Sequence, residues 1–517
     1  MSLNLGQWPD KRALLHPRQS CLSYQGRHLD NGDFALLVED GARGLLQAGI
    51  SKGDRVATLM GNCPAFLQLF FACARIGAVL LPLNHQLAAP ELARIITDCT
   101  PTLLVYGRPW AAAVNDILSL TTHPCHYLPL DGDDFPASFP PAGDSRPTGQ
   151  PTWAVEESDP LLLIYTAGTS GNLKGALLSH RNLLFGAVHS LLSYHFTPAT
   201  RSLVVAPLFH IGALAASALP VFYAGGSLVL RSFDNPSEIL HLIESEAITF
   251  FFAVPAMFAM LAKAPAWTSV DFSRVRFFMS GGAPMPVELI RRYQLEKGVV
   301  FAQGYGMTET QRITALELAD ATRKAGSIGK EVFHTSVRLV DDKGVEVESG
   351  AVGEIIVRGP TVFSGYWNTP EANARALRHG WFHTGDLGRR DDEGFLYLVG
   401  RKSDLIITSG ENISASEVEQ ALEALPEVAE AGVVGLPDRV RGEVVAALVV
   451  LRPEAQLTAE SLLATLKSTL APYKIPKRLH FTLTLPRTGS GKVAKEEIKK
   501  FFAGGSSPIE EVTSHEW

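Results

Sequence analysis

Cysteine is scarce in this chain: five in 517 residues, all at or before Cys125. None sits in a CxxC pair or at a metal-ligand spacing, which excludes a disulfide scaffold and a thiolate metal centre. The five read as reduced packing residues of a cytosolic protein. A strong charge of either sign is missing too. A net charge of −7, with 19% charged residues, excludes a general nucleic-acid binder. The first ten residues, Met-Ser-Leu-Asn-Leu-Gly-Gln-Trp-Pro-Asp, lack a basic segment followed by an apolar core, so no secretory leader is expected. Long apolar runs are few. Ile211 to Leu230 carries no charge and is about as long as a spanning helix. Its Ala and Gly content and Pro220 predict instead a buried helix and then a strand from Gly226 to Leu230. Peripheral membrane contact would suit a lipid substrate, but no basic amphipathic helix announces it. No internal repeat is found.

What is present is an ordinary globular composition, 46% hydrophobic, in a length that suits two or more domains. Helical and strand patterns alternate early on. Asn31 to Ala48 has helical periodicity, Arg55 to Met60 reads as a strand, Cys63 to Ile76 as a helix and Ala78 to Pro82 as a strand. Such alternation predicts an α/β sheet with parallel strands. Residues 131–160, rich in Pro, Asp, Gly and Ser, predict a surface loop. From Ser336 to Val399 short strands with Gly and Asp turns suggest a β-rich subdomain. Further on, Ser414-Ala-Ser-Glu417 fits a capping box. Val444 to Leu451 reads as a strand and Glu460 to Leu470 as a helix, while the tail after Phe502 is expected to be disordered.

The most informative stretch is Leu163-Ile-Tyr-Thr-Ala-Gly-Thr-Ser-Gly-Asn-Leu-Lys-Gly175. An apolar run, Leu161 to Tyr165, enters a loop with Gly168, Gly171 and Gly175, with the hydroxyls of Thr166, Thr169 and Ser170, and with one cation, Lys174. Small residues let backbone N–H groups close around a phosphate, and a lysine adds positive charge. The spacing is not that of the P-loop. Taken alone, such a loop reads equally well as a flexible turn.

Six further motifs accompany it: Ala206-Pro-Leu-Phe-His-Ile-Gly212, Gly281-Gly-Ala-Pro284, Gln303-Gly-Tyr-Gly-Met-Thr-Glu-Thr310, Trp381-Phe-His-Thr-Gly-Asp386, Gly400-Arg401 and Pro486-Arg-Thr-Gly-Ser-Gly-Lys492. In content and order they resemble the adenylate-forming superfamily, which contains acyl-CoA synthetases, firefly-type luciferases and peptide-synthetase adenylation domains. The resemblance covers nearly the whole chain. It implies a large N-terminal α/β domain, residues 1–401, of mixed and parallel sheets flanked by helices, with a β-rich subdomain. A small α+β C-terminal domain, residues 402–517, would follow a hinge at Ser403 and carry the catalytic lysine.

The resemblance also implies roles. A carboxylic acid is a poor acylating agent, and ATP improves it by making AMP the leaving group. The site must then supply cations and donors where charge builds. Lys492 would bridge the carboxylate and α-phosphate, with a solvated surface lysine as the plain alternative. Glu309 would help hold Mg²⁺, and Thr308 would contact the α-phosphate. Tyr305, between Gly304 and Gly306, would stack on adenine, opposite Gly282, Ala283 and Pro284. Asp386, helped by Arg401, would accept the ribose hydroxyls. Phe209, His210, Gly281 and Gly304 would line the acyl pocket. His210 is read as a gate there rather than a satisfied core histidine. Domain rotation would then admit the CoA thiol, with Ser409 and Gly410 along the tunnel. Arg441 and Lys474 are candidates for the CoA phosphates, or equally solvated surface charges.

Two departures from the family pattern stand out. Ala167 occupies a position where most relatives carry serine, and Leu173 replaces a proline. Losing one donor to a charged group costs about 1.5–3 kcal/mol, so adenylation would slow without stopping. No aspartate near His210 offers an ammonium partner, which argues against an α-amino acid. No Arg or Lys between Ile211 and Leu230 offers a partner to a second carboxylate. The expected substrate is therefore an apolar acid, fatty or aromatic, with fatty acids put first. ATP, Mg²⁺ and CoA are the expected cofactors, in a cytoplasmic monomer or homodimer. Alternatives are transfer to a carrier protein's phosphopantetheine, a luciferase-like oxygenase, and a non-catalytic nucleotide- or acyl-binding protein.

Overall fold

A computed structural model describes residues 4–123, 125–130, 153–167, 173–283, 285–408, 411–438, 441–467, 470, 472–488 and 491–503. The chain forms two compact units. The first comprises Met1–Val337, Ile356–His383 and Glu393–Tyr397; the second comprises Arg338–Ile355, Thr384–Asp392 and Leu398–Trp517.

The first unit holds two seven-stranded sheets. One runs in the order Phe301–Gln303, Phe277–Ser280, Phe250–Ala253, Arg201–Val204, Ser227–Leu230, Ser20–Tyr24, Arg27–Asp30. All its pairs are parallel except the last. The other runs Gly365–Tyr366, Leu173–Ser179, Pro160–Ala167, Val79–Pro82, Arg55–Leu59, Leu103–Gly107, His126–Leu130. Its first two pairs are antiparallel and the rest parallel. The near-continuous apolar strands, such as the fully buried Phe250–Ala253, are what sheets covered on both faces require. Aromatic rings fill the core on one side: Phe251, Phe258, Phe278, Tyr293 and Phe301 meet edge to face.

The early expectations hold. The helix spans Asn31–Gln47, capped by the Asp30 carboxylate on the Asp33 N–H, and the next spans Pro64–Ile76, ended by left-handed Gly77. Ile211–Leu230 is indeed buried helix and then strand. The helix, however, is interrupted by a π turn at Leu214–Ala218 before resuming at Leu219–Ala224. No helix of the described residues is long and apolar enough to cross a membrane. From Ser336 to Arg401 the chain is mostly strand and turn, as expected.

In the second unit, Glu411–Ser414, Leu405–Thr408, Gly442–Leu451 and Val428–Asp438 form a sheet, with Arg478–Thr482 parallel to Gly442–Leu451. Helices Ala415–Glu423 and Ala459–Leu466 pack on it through Val418, Leu422, Leu462 and Leu466. Two local expectations are corrected. The Ser414 hydroxyl does not cap the helix; it donates to the Val399 carbonyl at 2.7 Å, so no capping box forms. The helix expected to reach Leu470 ends at Leu466. Residues 131–152 and 504–517, expected to be a loop and a disordered tail, lie outside the described residues.

Candidate active site

The glycine-rich loop springs from a hairpin in the first unit. Pro160–Ala167 pairs antiparallel with Leu173–Ser179, setting Thr166 opposite Lys174 and Ala167 opposite Leu173. Leu161, Leu162 and Leu163 are fully buried, which fixes the hairpin's root. Gly175 is closely packed there: a Cβ would lie 2.8 Å from the Leu163 side chain and 3.1 Å from the Tyr165 ring. Leu173 packs against the core beneath and continues the strand. The loop itself, with Gly168, Thr169, Ser170 and Gly171, lies outside the described residues.

Lys174 points its ammonium over the Tyr366 ring, 5.1 Å from the centroid. The Tyr366 hydroxyl donates to Oε1 of Glu309 at 2.9 Å. Tyr366 is set by backbone pairing, since Gly365–Tyr366 adds as a strand to Leu177 and Ala176. Asn373 fixes it further, accepting from the Tyr366 N–H at 2.6 Å and donating to its carbonyl at 2.9 Å. Glu309 is held at both ends. Its carboxylate is buried, and its carbonyl accepts the Phe363 N–H at 2.8 Å. It stands on a tight turn with Thr308 between the paired strands Gly306–Met307 and Gln311–Arg312. A Cβ on Gly306 would lie 1.6 Å from the Gln311 carbonyl oxygen, so only glycine closes this hairpin. Tyr305 is buried; its N–H donates to Thr314 Oγ1 at 3.1 Å. Gly282 takes a left-handed φ of +83°, and Gly282 and Ala283 are exposed. Pro284 lies outside the described residues.

Of the residues expected at the acyl pocket, Gly281 lies against Phe252, Phe209 and His210 lie against each other, and Gly304 lies beside Arg312 and Tyr194. Phe252 is clasped by two glycines: a Cβ on Gly281 would lie 3.0 Å from its ring and one on Gly212 3.1 Å. Phe209 is buried and meets His85 edge to face at 5.0 Å. Burial lowers the His85 pKa. His210 is exposed and lies against the Phe209 ring, 4.6 Å between centroids. That exposure sets aside the core-histidine alternative and leaves the ring accessible, as a gate needs.

In the second unit, Arg401 Nε lies 3.1 Å from Oδ1 of the buried Asp386. The turn before Asp386 is tightly made. Thr384 Oγ1 donates to the Ile355 carbonyl at 2.7 Å and accepts the Asp386 N–H at 3.0 Å, while Gly385 takes φ +72°. The Gly385 N–H donates to Glu354 at 3.3 Å, and Lys402 Nζ bridges Glu354 at 3.3 Å and Asp342 at 2.8 Å. The hydrogen bond to Asp342, first among its causes, raises the Lys402 pKa. Lys492 is exposed on a turn closed by the Thr488 N–H to its carbonyl at 2.7 Å, with Gly491 at φ +81°. Lys474 pairs with Glu417 at 2.6 Å, so its charge already serves the fold. Arg441 has cationic company: burial and then repulsion from Arg441 and Lys467 lower the Lys477 pKa. Ser403 lies in a 3-10 turn, Lys402–Asp404, directly after the strand ending at Arg401. Ser409 and Gly410 lie outside the described residues.

Sequence reasoning missed Tyr366, Asn373, Glu354, Lys402 and Lys477. No motif marks them, because strand pairing and packing within each unit set their partners. A Gly-Tyr dipeptide before Trp367 was the only visible signal for Tyr366. Among the described residues no group of three or more His, Cys, Asp or Glu could hold a metal ion by itself. One buried carboxylate, Glu309, joined through Tyr366 to Lys174, still fits Mg²⁺, which is commonly held by one or two carboxylates together with substrate phosphates.

Residues 4–367 match the family of AMP-binding enzymes, and residues 417–492 match the AMP-binding enzyme C-terminal domain. The chain is 40% identical over 501 residues to feruloyl-CoA synthase of an Amycolatopsis species, spanning 96% of this chain and 99% of that one. It is 39% identical to indoleacetate–CoA ligase of Aromatoleum aromaticum, spanning 97% and 98%. Among solved structures, ATP-bound MatB from Rhodopseudomonas palustris superposes with a TM-score of 0.88 at 31% identity, spanning 97% and 99%. With both family models matched in order, and relatives aligned over almost their full length, the chain belongs to the AMP-binding enzyme family, among its acid:CoA ligases.

Proposed function

We propose that this acid:CoA ligase activates an apolar aromatic acid, with fatty acids as the second class, and that the residues above divide the work as follows. The acid's carboxylate oxygen attacks the α-phosphorus of ATP, the bond to pyrophosphate breaks, and acyl-AMP forms. Lys492 offsets the charge that builds on the carboxylate and α-phosphate. Lys174 and Thr166 hold the polyphosphate at the root of the loop, and Thr308 contacts the α-phosphate. Glu309, oriented by Tyr366, would hold Mg²⁺, which would supply positive charge on the phosphates. Asp386, aimed by Arg401, accepts the ribose hydroxyls. The CoA thiolate then attacks the acyl carbonyl and AMP departs. Arg441, with Lys477 and Lys467 beside it, receives the CoA phosphates, a role Lys474 fits less well because Glu417 occupies it. Ser403 serves as the hinge.

The observation that carries the choice of acid is Phe252, a buried ring clasped between Gly212 and Gly281. An apolar floor with small residues at its edge suits a planar ring. The aryl acids named in the two relatives, ferulate and indoleacetate, move aromatic acids ahead of the fatty acids that sequence reasoning put first. The relatives are CoA ligases, which does not favour the carrier-protein acceptor. Within this proposal the enzyme works in the cytoplasm, as a monomer or homodimer. The test is ATP- and Mg²⁺-dependent AMP formation across cinnamates, benzoates, arylacetates and acetate to palmitate, with and without CoA. CoA-dependent AMP formation should be fastest with an aryl acid. Fastest turnover with a long-chain acid would reverse the order of the two classes.

A further inference from the structure

Arg312 follows the Glu309 turn and lies beneath the acyl region. Its guanidinium carbon sits over the Tyr194 ring, 4.6 Å from the centroid, and its Nη2 is 2.9 Å from the Met279 sulfur. Nε and Nη1 are buried and have no hydrogen-bond acceptor among the described residues. An arginine does not shed its charge, and buried polar groups left without partners are rare enough to need a reason. Thioether sulfur is a weak acceptor, so the Met279 contact is easily given up. The Tyr194 hydroxyl donates to the Gln303 carbonyl at 2.9 Å, and its oxygen still interacts with the neighbouring guanidinium.

The location supplies the reason. Met279 pairs directly with Phe252, and Ala302 with Met279, so all three share the sheet face that carries the apolar floor. Gly304 adjoins the guanidinium: a Cβ there would lie 3.3 Å from Nη1 and 3.5 Å from the Tyr194 hydroxyl. An apolar surface therefore ends at a cation with spare donors, and Gly304 beside that cation has no side chain to cover it. Sequence reasoning looked for such a cation only between Ile211 and Leu230 and found none. This one arrives from a different segment.

We infer that Arg312 is a specificity-determining residue that donates to a second oxygen on the acyl portion of the substrate, remote from the reacting carboxyl. The inference rests on the reading of the chain as an aryl acid:CoA ligase. As the side chain leaves the Met279 sulfur, its N–H groups meet a ring oxygen, which is anionic in a carboxylate and neutral in a hydroxyl or methoxy group.

The test compares cinnamate, 4-hydroxycinnamate, 4-methoxycinnamate and 4-carboxycinnamate as substrates of the full-length enzyme, reading kcat and KM for CoA-dependent AMP formation. The wild-type enzyme should favour at least one oxygenated acid over cinnamate by about tenfold or more in kcat/KM, expressed in KM. Arg312→Met, similar in reach but apolar, should bring that ratio to within about twofold of unity. Arg312→Lys, which keeps the charge without the planar fork, should lose most of the preference for the neutral oxygens and keep more of that for the carboxylate. It also stands in if the Met variant lacks a cooperative melting transition. Equal kcat/KM for all four acids in the wild type, or a preference that survives both substitutions, overturns the role of Arg312 while the ligase reading stands. No AMP or thioester from any acid overturns both.

Discussion

Glu309 owes its position to three neighbours that differ in chemistry. Gly306 lets the hairpin close, Phe363 holds the carbonyl, and the Tyr366 hydroxyl aims the carboxylate. Tyr366→Phe would keep the ring beneath Lys174 and remove only the donor to Glu309. A hydrogen bond to a charged group is worth about 1.5–3 kcal/mol. The Mg²⁺ concentration for half-maximal pyrophosphate release should therefore rise about tenfold, with the acid KM little changed. An unchanged Mg²⁺ requirement would make Tyr366 a packing residue only. Lys492→Ala is expected to cripple acyl-adenylate formation and to spare thioester formation from supplied acyl-adenylate. Equal loss of both steps would argue against its place at the α-phosphate. Lys492, Glu309 and Asp386 were readable in the chain because each sits in a contiguous motif. Tyr366 and Arg312 were not: one depends on strand register with Ala176, the other on packing against Tyr194 and Met279.

At the scale of the element, the turns are specified more sharply than the helices. Gly306→Ala would drive a methyl group into the Gln311 carbonyl, and relieving it means opening the hairpin that carries Thr308 and Glu309. Adenylation should fall at least a hundredfold, with a lower melting midpoint. Activity within a few-fold of wild type would show that the turn has an alternative shape. Ser414 illustrates a legible motif with a different use. Its residue type and spacing match a capping box, yet the hydroxyl donates to Val399. Ser414→Ala should cost about 0.5–1.5 kcal/mol, as loss of one ordinary hydrogen bond does, read as a shift in the denaturant midpoint. The π turn at Leu214–Ala218 was equally hidden, because an inserted residue leaves no mark in an all-apolar run.

At the scale of the whole molecule, acid sensitivity is built into the first unit by two buried histidines. Burial, the leading cause for both, lowers the pKa values of His180 and His189 to about 4, against an ordinary 6.5. His180 Nδ1 accepts the Leu5 N–H at 3.2 Å, which requires the neutral ring. Between those two values the unfolded chain binds more protons than the native one. The stabilisation is therefore complete above about pH 6.5 and is lost as pH falls through about 4. The melting midpoint should drop across that window, and His180→Asn, which keeps an acceptor for Leu5, should make the drop shallower than in the wild type. Parallel curves for the two proteins would show that His180 titrates normally in the fold. The five cysteines contribute nothing to this behaviour. All are free thiols, and burial raises the pKa of Cys21 and Cys99 to about 12.

The division between what the chain dictates locally and what packing decides follows from how each is encoded. Alternating helical and strand periods, buried β-branched and aromatic runs, and glycine-bearing turns are local properties. The sequence by itself therefore determined the α/β class and the main elements of the first unit, and its ordered motifs, through their resemblance to the adenylate-forming superfamily, pointed to the chemistry of ATP activation. Contacts between distant segments have no local signature. Only the tertiary structure placed the Tyr366 hydroxyl on Glu309, Lys402 between Glu354 and Asp342, and the Arg312 guanidinium beside Gly304. Each joins residues far apart in the chain or depends on a register that no run of side chains reveals.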